Sequence, residues 1–347
     1  FQTGDMLTSR LSAFSSFLWG WPLLILLLGT HLYLTVILRF PQRYLLKALK
    51  LYFVKDHTDK GDISPFSSLM VALAANIGAG NIIGVGVAIA AGGPGAIFWC
   101  WLTGVLGMAT RYSEGLLAIK YRVENKDGNM SGGPMFVLER GMKCKWLGVL
   151  FAVFTAIAAF GIGNLTQGNA AAEQLYHAFS IPAWGTATVL TALTALVMLG
   201  GIRGIARVCA FFVPVMAVLY ILGCMYILIV QADYILPAIR YILDCAFTGE
   251  AAAGGVVGAA VMTAMRTGVA RGLFSNEAGL GSAAIASAAA QNRNPVRQAL
   301  ISSSGPFWDT VVICALTGIV LTTSIIAHPD ISCSDGSRLT TLAFSKI

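Results

Sequence analysis

Apolar residues run along this chain in blocks of about 20, separated by short segments that hold most of the Lys and Arg. A helix that crosses a bilayer needs about 20 largely apolar residues. Eight segments meet that length, over 19–38, 66–91, 95–121, 146–179, 183–201, 205–230, 251–290 and 306–327. The pattern predicts an all-α polytopic membrane protein, built as a single membrane domain over 1–347. Residues 328–347 end where another element would begin.

The loop charges predict an orientation, because Lys and Arg stay on the cytoplasmic side. Arg39, Arg43, Lys47, Lys50, Lys55 and Lys60 follow the first span. Arg122, Lys126, Arg140, Lys143 and Lys145 follow the third, Arg203 and Arg207 the fifth, Arg293 and Arg297 the seventh. The loops between are bare, apart from Arg240 among Asp233, Asp244 and Glu250. Basic and bare loops alternate, so the N-terminus is expected outside and the basic loops in the cytoplasm. The expected location is a cell membrane, the bacterial inner membrane. Cys245 and Cys333 both fall in expected outer segments and are candidates for a disulfide.

The second and seventh spans are interrupted. The second carries Asn76-Ile77-Gly78-Ala79-Gly80-Asn81, and the seventh carries Phe274-Ser275-Asn276-Glu277-Ala278-Gly279-Leu280-Gly281. As one straight helix, 251–290 would be roughly 60 Å long, at about 1.5 Å per residue; the bilayer core is about 30 Å. Glycines can simply let helices pack closely, but packing does not call for Asn76 and Asn81 beside them. Unwound backbone at membrane depth is tolerated where it is buried in protein or lines a cavity. Two breaks five spans apart predict an inverted repeat with two discontinuous helices. The first repeat would cover 66–230. The second, 251–347, supplies two of its five helices, so the chain is expected to be short by about three spans.

Composition narrows the function. Of 347 residues, 11% are charged and 56% hydrophobic, too little charge for a soluble surface of this size. The net charge of +7 sits in the short loops, which speaks against nucleic acid as a partner. Seven cysteines show no CxxC spacing, and His31, His57, His177 and His328 are scattered, so no metal centre or bound cofactor is expected. No Ser/His pair, HExxH or paired aspartates sit in the spans, so an enzyme is not expected. Phe1 is not an initiator residue, and an incomplete N-terminus is expected. A carrier for a small solute and an ion channel both remain, since both use broken helices.

The first break suggests chemistry. Its backbone N–H groups at Gly78, Ala79, Gly80 and Asn81 would lie at the start of the outer half-helix, where the helix dipole favours an anion. Carbonyls around Ala75 and Asn76, at the end of the inner half-helix, suit a cation such as sodium. Arg111 and Glu114 are three apart on one helix face and predict a structural ion pair near the membrane surface. Glu277, in the second break, is a candidate gate, capping group or coupling site, with Arg266 and Arg271 as candidate partners.

These residues resemble the alanine or glycine:cation symporter family, the sodium:alanine symporters. The resemblance rests on the run from Gly92-Gly93-Pro94-Gly95-Ala96-Ile97-Phe98-Trp99-Cys100-Trp101 through Gly107, on Met108-Ala109-Thr110, Lys120-Tyr121-Arg122 and Gly132-Gly133-Pro134-Met135, on Gly161-Ile162-Gly163-Asn164, and on the stretch from Arg271 to Gly279. It covers nearly the whole chain. It implies a leucine-transporter-type fold of eleven spans, in line with eight plus three. It also implies sodium-coupled symport of a small neutral amino acid, alanine or glycine, with Gln167, Phe274 and Ser275 lining the substrate pocket. The chain departs from the family where Cys100 stands for the usual Met, Ala79 for the usual Thr, and Asn76 for a small or hydroxyl residue. The small residues at the breaks predict a small pocket. Gln167 is also a candidate for a plain interhelical hydrogen bond, and Phe274 for simple packing. The first break holds no titratable group and Glu173 lies near the outer end of its span, so sodium is expected to be the coupling ion. A proton remains the alternative through Glu277.

Overall fold

The two interruptions recur in the computed structural model as real breaks in the helices. The structure describes residues 2–54, 61–248, 257–331 and 336–346. Lys55, His57, Lys60, Ala251 and Cys333 lie outside them, so the proposed Cys245–Cys333 pairing does too; Cys245 itself is buried. The chain is mostly helical, about 82%. One two-stranded hairpin, Val123–Glu124 with Met130–Ser131, interrupts the all-α pattern in the basic loop after the third span.

The helices are α1 (Gln2–Leu18), α2 (Trp21–Ile37), α3 (Leu45–Leu51), α4 (Pro65–Asn76), α5 (Ala79–Gly92) and α6 (Ala96–Lys120). Then come α7 (Lys145–Phe179), α8 (Ala183–Leu199), α9 (Gly201–Val230), α10 (Ala232–Phe247), α11 (Val257–Asn276), α12 (Ser282–Ala288), α13 (Pro295–Ala327) and α14 (Gly336–Ser345). Among the described residues, α4 with α5, and α7, α9 and α13, are long and apolar enough to cross a membrane. The pair α2 and the bent segment Pro41–Leu51 passes as a fifth. The third expected span, α6, is helical throughout but carries Arg111 and Glu114; α8 is shorter and apolar.

Three boundaries differ from the sequence expectation. The eighth span starts eleven residues earlier, at Pro295, because Asn294 caps it by accepting a hydrogen bond from the Val296 N–H and Pro295 takes the first helical position. Arg297 therefore belongs to a helix rather than a loop. The stretch 232–247, expected as an outer loop, is the amphipathic helix α10, which buries Ala238, Ile242, Cys245 and Ala246. The seventh span stays helical through Asn276, so its break covers 277–281 and Phe274, Ser275 and Asn276 form the last turn of α11.

Helix α6 is the central pillar, packed by α2, α11, α12 and α13. Small residues let these helices approach: an added Cβ at Gly107 would meet Ala278, and one at Gly115 would meet Ser302. Arg122, just past the end of α6, donates to the carbonyls of Ala288, Ala290 and Asn292 at 2.8–3.0 Å. It satisfies carbonyls that the C-terminal end of α12 leaves without partners, and so ties that end of α12 to the end of α6.

Candidate functional site

The first break is short. Helix α4 is capped at its start by Ser64 and ends at Asn76; Ile77 and Gly78 are extended, and α5 begins at Ala79. The second break, Glu277 to Gly281, is tighter. Glu277, Gly279 and Gly281 all have positive φ (51°, 98° and 78°). Glycine adopts that conformation freely; for Glu277 it costs roughly 1–2 kcal/mol, and the surroundings must hold it there.

The two breaks touch. The Asn76 side-chain amide donates to the Asn276 carbonyl at 3.1 Å, and both residues are buried. Asn76 Oδ1 and Asn276 Nδ2 are left buried without hydrogen-bond partners. Asn76, one of the two residues assigned to sodium, thus has a free oxygen at the crossing; Ala75 is an exposed position.

A second cluster centres on Asp309, a residue outside the sequence-predicted site. Asn81 Nδ2 donates to Asp309 Oδ1 at 2.6 Å. Ser275 Oγ donates to Asp309 Oδ2 at 2.8 Å and lies 3.4 Å from Asn81 Oδ1. Thr310 Oγ1 donates to Asp309 Oδ2 at 2.7 Å. Asn81, Asp309 and Thr310 are wholly buried and Ser275 nearly so. The cluster draws one residue from the start of α5, one from the end of α11 and two from a π-helical turn of α13 over Phe307–Cys314. Such turns are frequent at functional sites. The signal was present in the sequence: Asp309 is the one charged residue in 306–327, and an acid in an apolar span is a site hypothesis by default.

The remaining predicted residues scatter around this centre. Gln167, half-buried on α7 just after its own π-helical turn, accepts the Ala79 N–H at 3.1 Å. That interhelical hydrogen bond occupies an N–H assigned to the substrate. Gln167 and Ala79 line a cavity of about 510 Å³ with Gln174, Tyr220, Thr340 and Phe344. It is a wide vestibule rather than the small pocket expected, because the far wall comes from α9 and α14 rather than from the breaks. Phe274 is not on it. It lines a separate cavity of about 300 Å³ with Trp19, Thr267 and Arg271, under the Arg271 guanidinium at 5.1 Å. Gly78 sits against the Gln167 amide, and Gly80 against Arg271.

Neither arginine offered as a partner is needed by Glu277, whose carboxylate accepts a hydrogen bond from Ser282 Oγ. It caps the second break from within. Glu114 does so from outside. Its Oε1 accepts the N–H groups of Gly279 (2.8 Å) and Gly281 (3.2 Å), and its Oε2 lies 3.5 Å from Arg111 Nη1. The predicted Arg111–Glu114 pair exists, but it serves the break.

Helices that stop and restart where they cross, around buried oxygens, define a multi-pass membrane carrier. The chain belongs to the sodium:alanine symporter family, whose profile matches residues 4–347. It is 52% identical over 341 residues to an uncharacterized transporter of Haemophilus influenzae, covering 97% of this chain and 74% of that one. It is 49% identical over 347 residues to the sodium/alanine symporter AgcS of Methanococcus maripaludis, covering 98% and 76%. It is 37% identical over 313 residues to a probable sodium/glutamine symporter, GlnT, of Bacillus subtilis, covering 90% and 64%. The protein is an amino acid:cation symporter of the cell membrane and not an enzyme.

Proposed function

We propose that this protein couples the entry of a small neutral amino acid, alanine or glycine, to sodium. The observation that carries the reading is the Asn81–Ser275–Asp309–Thr310 cluster, which ties both broken helices to α13 through oxygen atoms. Hard cations take oxygen ligands, and a carboxylate offsets the cation's charge in a medium where charge is costly. Sodium held there would favour the arrangement of the breaks in which the cluster is closed. Relatives described as a sodium/alanine symporter and a probable sodium/glutamine symporter support sodium and leave alanine and glutamine as alternatives between them. Asn76 Oδ1, buried and unpartnered at the crossing of the breaks, is a further oxygen for a cation or for the substrate ammonium.

The cluster removes one argument for sodium. The first break itself has no titratable group, but folding brings Asp309 onto it, so a proton carrier is available there. The choice is therefore experimental. In proteoliposomes, alanine uptake should rise with external sodium at fixed pH and persist when the proton gradient is collapsed. Uptake that ignores sodium and vanishes with the proton gradient would turn the reading to Asp309 as a proton site.

The arrangement proposed is an inverted repeat of the leucine-transporter type, 66–230 against 251–347. What supports it is that breaks 200 residues apart meet at Asn76 and Asn276. The basic loops would face the cytoplasm. Lys143 is exposed in one of them. A cysteine placed there should react with an impermeant thiol reagent in inside-out vesicles and not in intact cells; the opposite labelling would invert the topology.

A further inference from the structure

Helices α6 and α13 run antiparallel at close range. A Cβ added at Gly104 of α6 would meet Thr310 of α13, and one at Gly318 of α13 would meet Ile97 of α6. Midway between these two contacts, Cys100 stands opposite Cys314. Both are buried, both belong to one packed core with Ile97 and Leu321, and their thiols are close enough to interact directly. Both line a cavity of about 10 Å³, with Trp101 and Arg271 on its wall. A space of that size holds about one water molecule, so it suits a single ion and no organic ligand. Ala88 and Arg271 also line the 300 Å³ cavity, so the two spaces meet at these side chains.

Thiolate sulfur selects soft metal ions such as Cu(I). Among the described residues no group of three or more His, Cys, Asp or Glu could hold a metal. Zinc, which takes four ligands in a structural site, finds too few here; an ion content with two sulfurs does not. We propose that Cys100 and Cys314 form a binding site for a single monovalent soft metal ion, Cu(I) or Ag(I). Binding is a ligand exchange with no change of oxidation state. Two S–H bonds break, two metal–sulfur bonds form, and both protons go to solvent. The bis-thiolate complex carries one net negative charge. Arg271, whose buried Nε and Nη2 have no hydrogen-bond partner, offsets it. The site also adjoins the cation cluster. Cys314 Sγ lies 3.3 Å from Ser275 Oγ, which donates to Asp309, and Cys314 ends the π-helical turn that carries Asp309 and Thr310. A metal bridge removes the Cys314 proton and pins that turn to α6, so the bound ion stops transport.

The test uses the purified protein with silver nitrate in chloride-free, thiol-free buffer, and the variants C100S and C314S, which keep a small polar side chain in each place. Bound silver is counted by native mass spectrometry, and thermal unfolding and alanine uptake are followed against silver concentration. The wild type should bind one silver ion more than either variant. That ion should raise the unfolding temperature, and uptake should fall as it binds. Each variant should lose the ion and the shift, and should keep whatever uptake it shows without silver. Binding and unfolding do not involve the substrate, so they decide the site even if alanine is not carried. Equal silver counts and equal unfolding shifts in the wild type and both variants overturn the proposal and move the metal to other cysteines. A bound ion that leaves uptake unchanged overturns the effect on transport. If neither variant folds, the anomalous scattering of silver in wild-type crystals decides: a peak between Cys100 and Cys314 supports the site, and a peak elsewhere or none overturns it.

Discussion

Replacing Asp309 by Asn should weaken the sodium dependence of uptake by at least about a hundredfold while leaving the protein folded. The Asn side chain keeps the shape of the carboxylate and one of its acceptor oxygens, so part of the hydrogen bonding from Asn81, Ser275 and Thr310 survives. What it loses is the charge. A cation about 4 Å from a carboxylate gains about 4 kcal/mol at an effective dielectric of 20. That is close to a thousandfold in affinity. Relaxation and water entry will reduce it, so the expected result is a rise of at least about a hundredfold in the sodium concentration for half-maximal uptake. The measurement is alanine uptake against sodium concentration in proteoliposomes, with thermal unfolding as a control for folding. A variant with wild-type sodium dependence would remove Asp309 from the cation site and return attention to Asn76 and the α4 carbonyls. Loss of uptake with no sodium stabilisation of the wild-type protein would instead favour a proton at Asp309.

Within the described residues the eight apolar segments are helical outside the two breaks, because twenty apolar residues in lipid must satisfy their own backbone groups, and the helix is the local way to do so. The breaks were legible for a related reason: Gly78 and Gly80 beside Asn76 and Asn81 make a poor helix interior. The resemblance groups Phe274 with Gln167; α11 turns Phe274 toward Arg271 and α7 turns Gln167 toward Ala79, and the two line different cavities. Partners far along the chain were out of reach. Asn81 meets Asp309 across 228 positions and Glu114 meets Gly279 across 165. Nothing in periodicity names such pairs. For Glu114 the nearer residue Arg111 supplied a sufficient explanation by itself, and the backbone donors of the break leave no mark in composition.

Those donors make Glu114 the position where a single truncation should cost most stability. Its carboxylate is the acceptor for two N–H groups of a turn whose residues 277, 279 and 281 hold positive φ, and it is the counter-ion of Arg111, which is 2% exposed. Glu114→Ala removes all three interactions at once. Breaking a buried pair by deleting one partner costs about 3–5 kcal/mol, since the other charge stays buried and alone. The backbone N–H groups left without an acceptor add to this, at about 1–3 kcal/mol each where water cannot reach. Gly279 and Leu280 are exposed, so water will relieve part of that cost, and the sum should fall near the lower end. Glu114→Gln should cost less, because its amide oxygen still accepts from the turn while only the ion pair is lost. Arg111→Met combined with Glu114→Ala should recover part of the loss, because no unpaired charge then remains. The order of thermal unfolding temperatures is therefore expected to be wild type, Glu114→Gln, the double variant, Glu114→Ala. A cysteine introduced at Leu280 should react faster with thiol reagents in the Glu114→Ala background, as the turn loosens. An unfolding temperature for Glu114→Ala within a degree of wild type, with unchanged labelling at 280, would show that Ser282 and Glu277 hold the second break without help from α6.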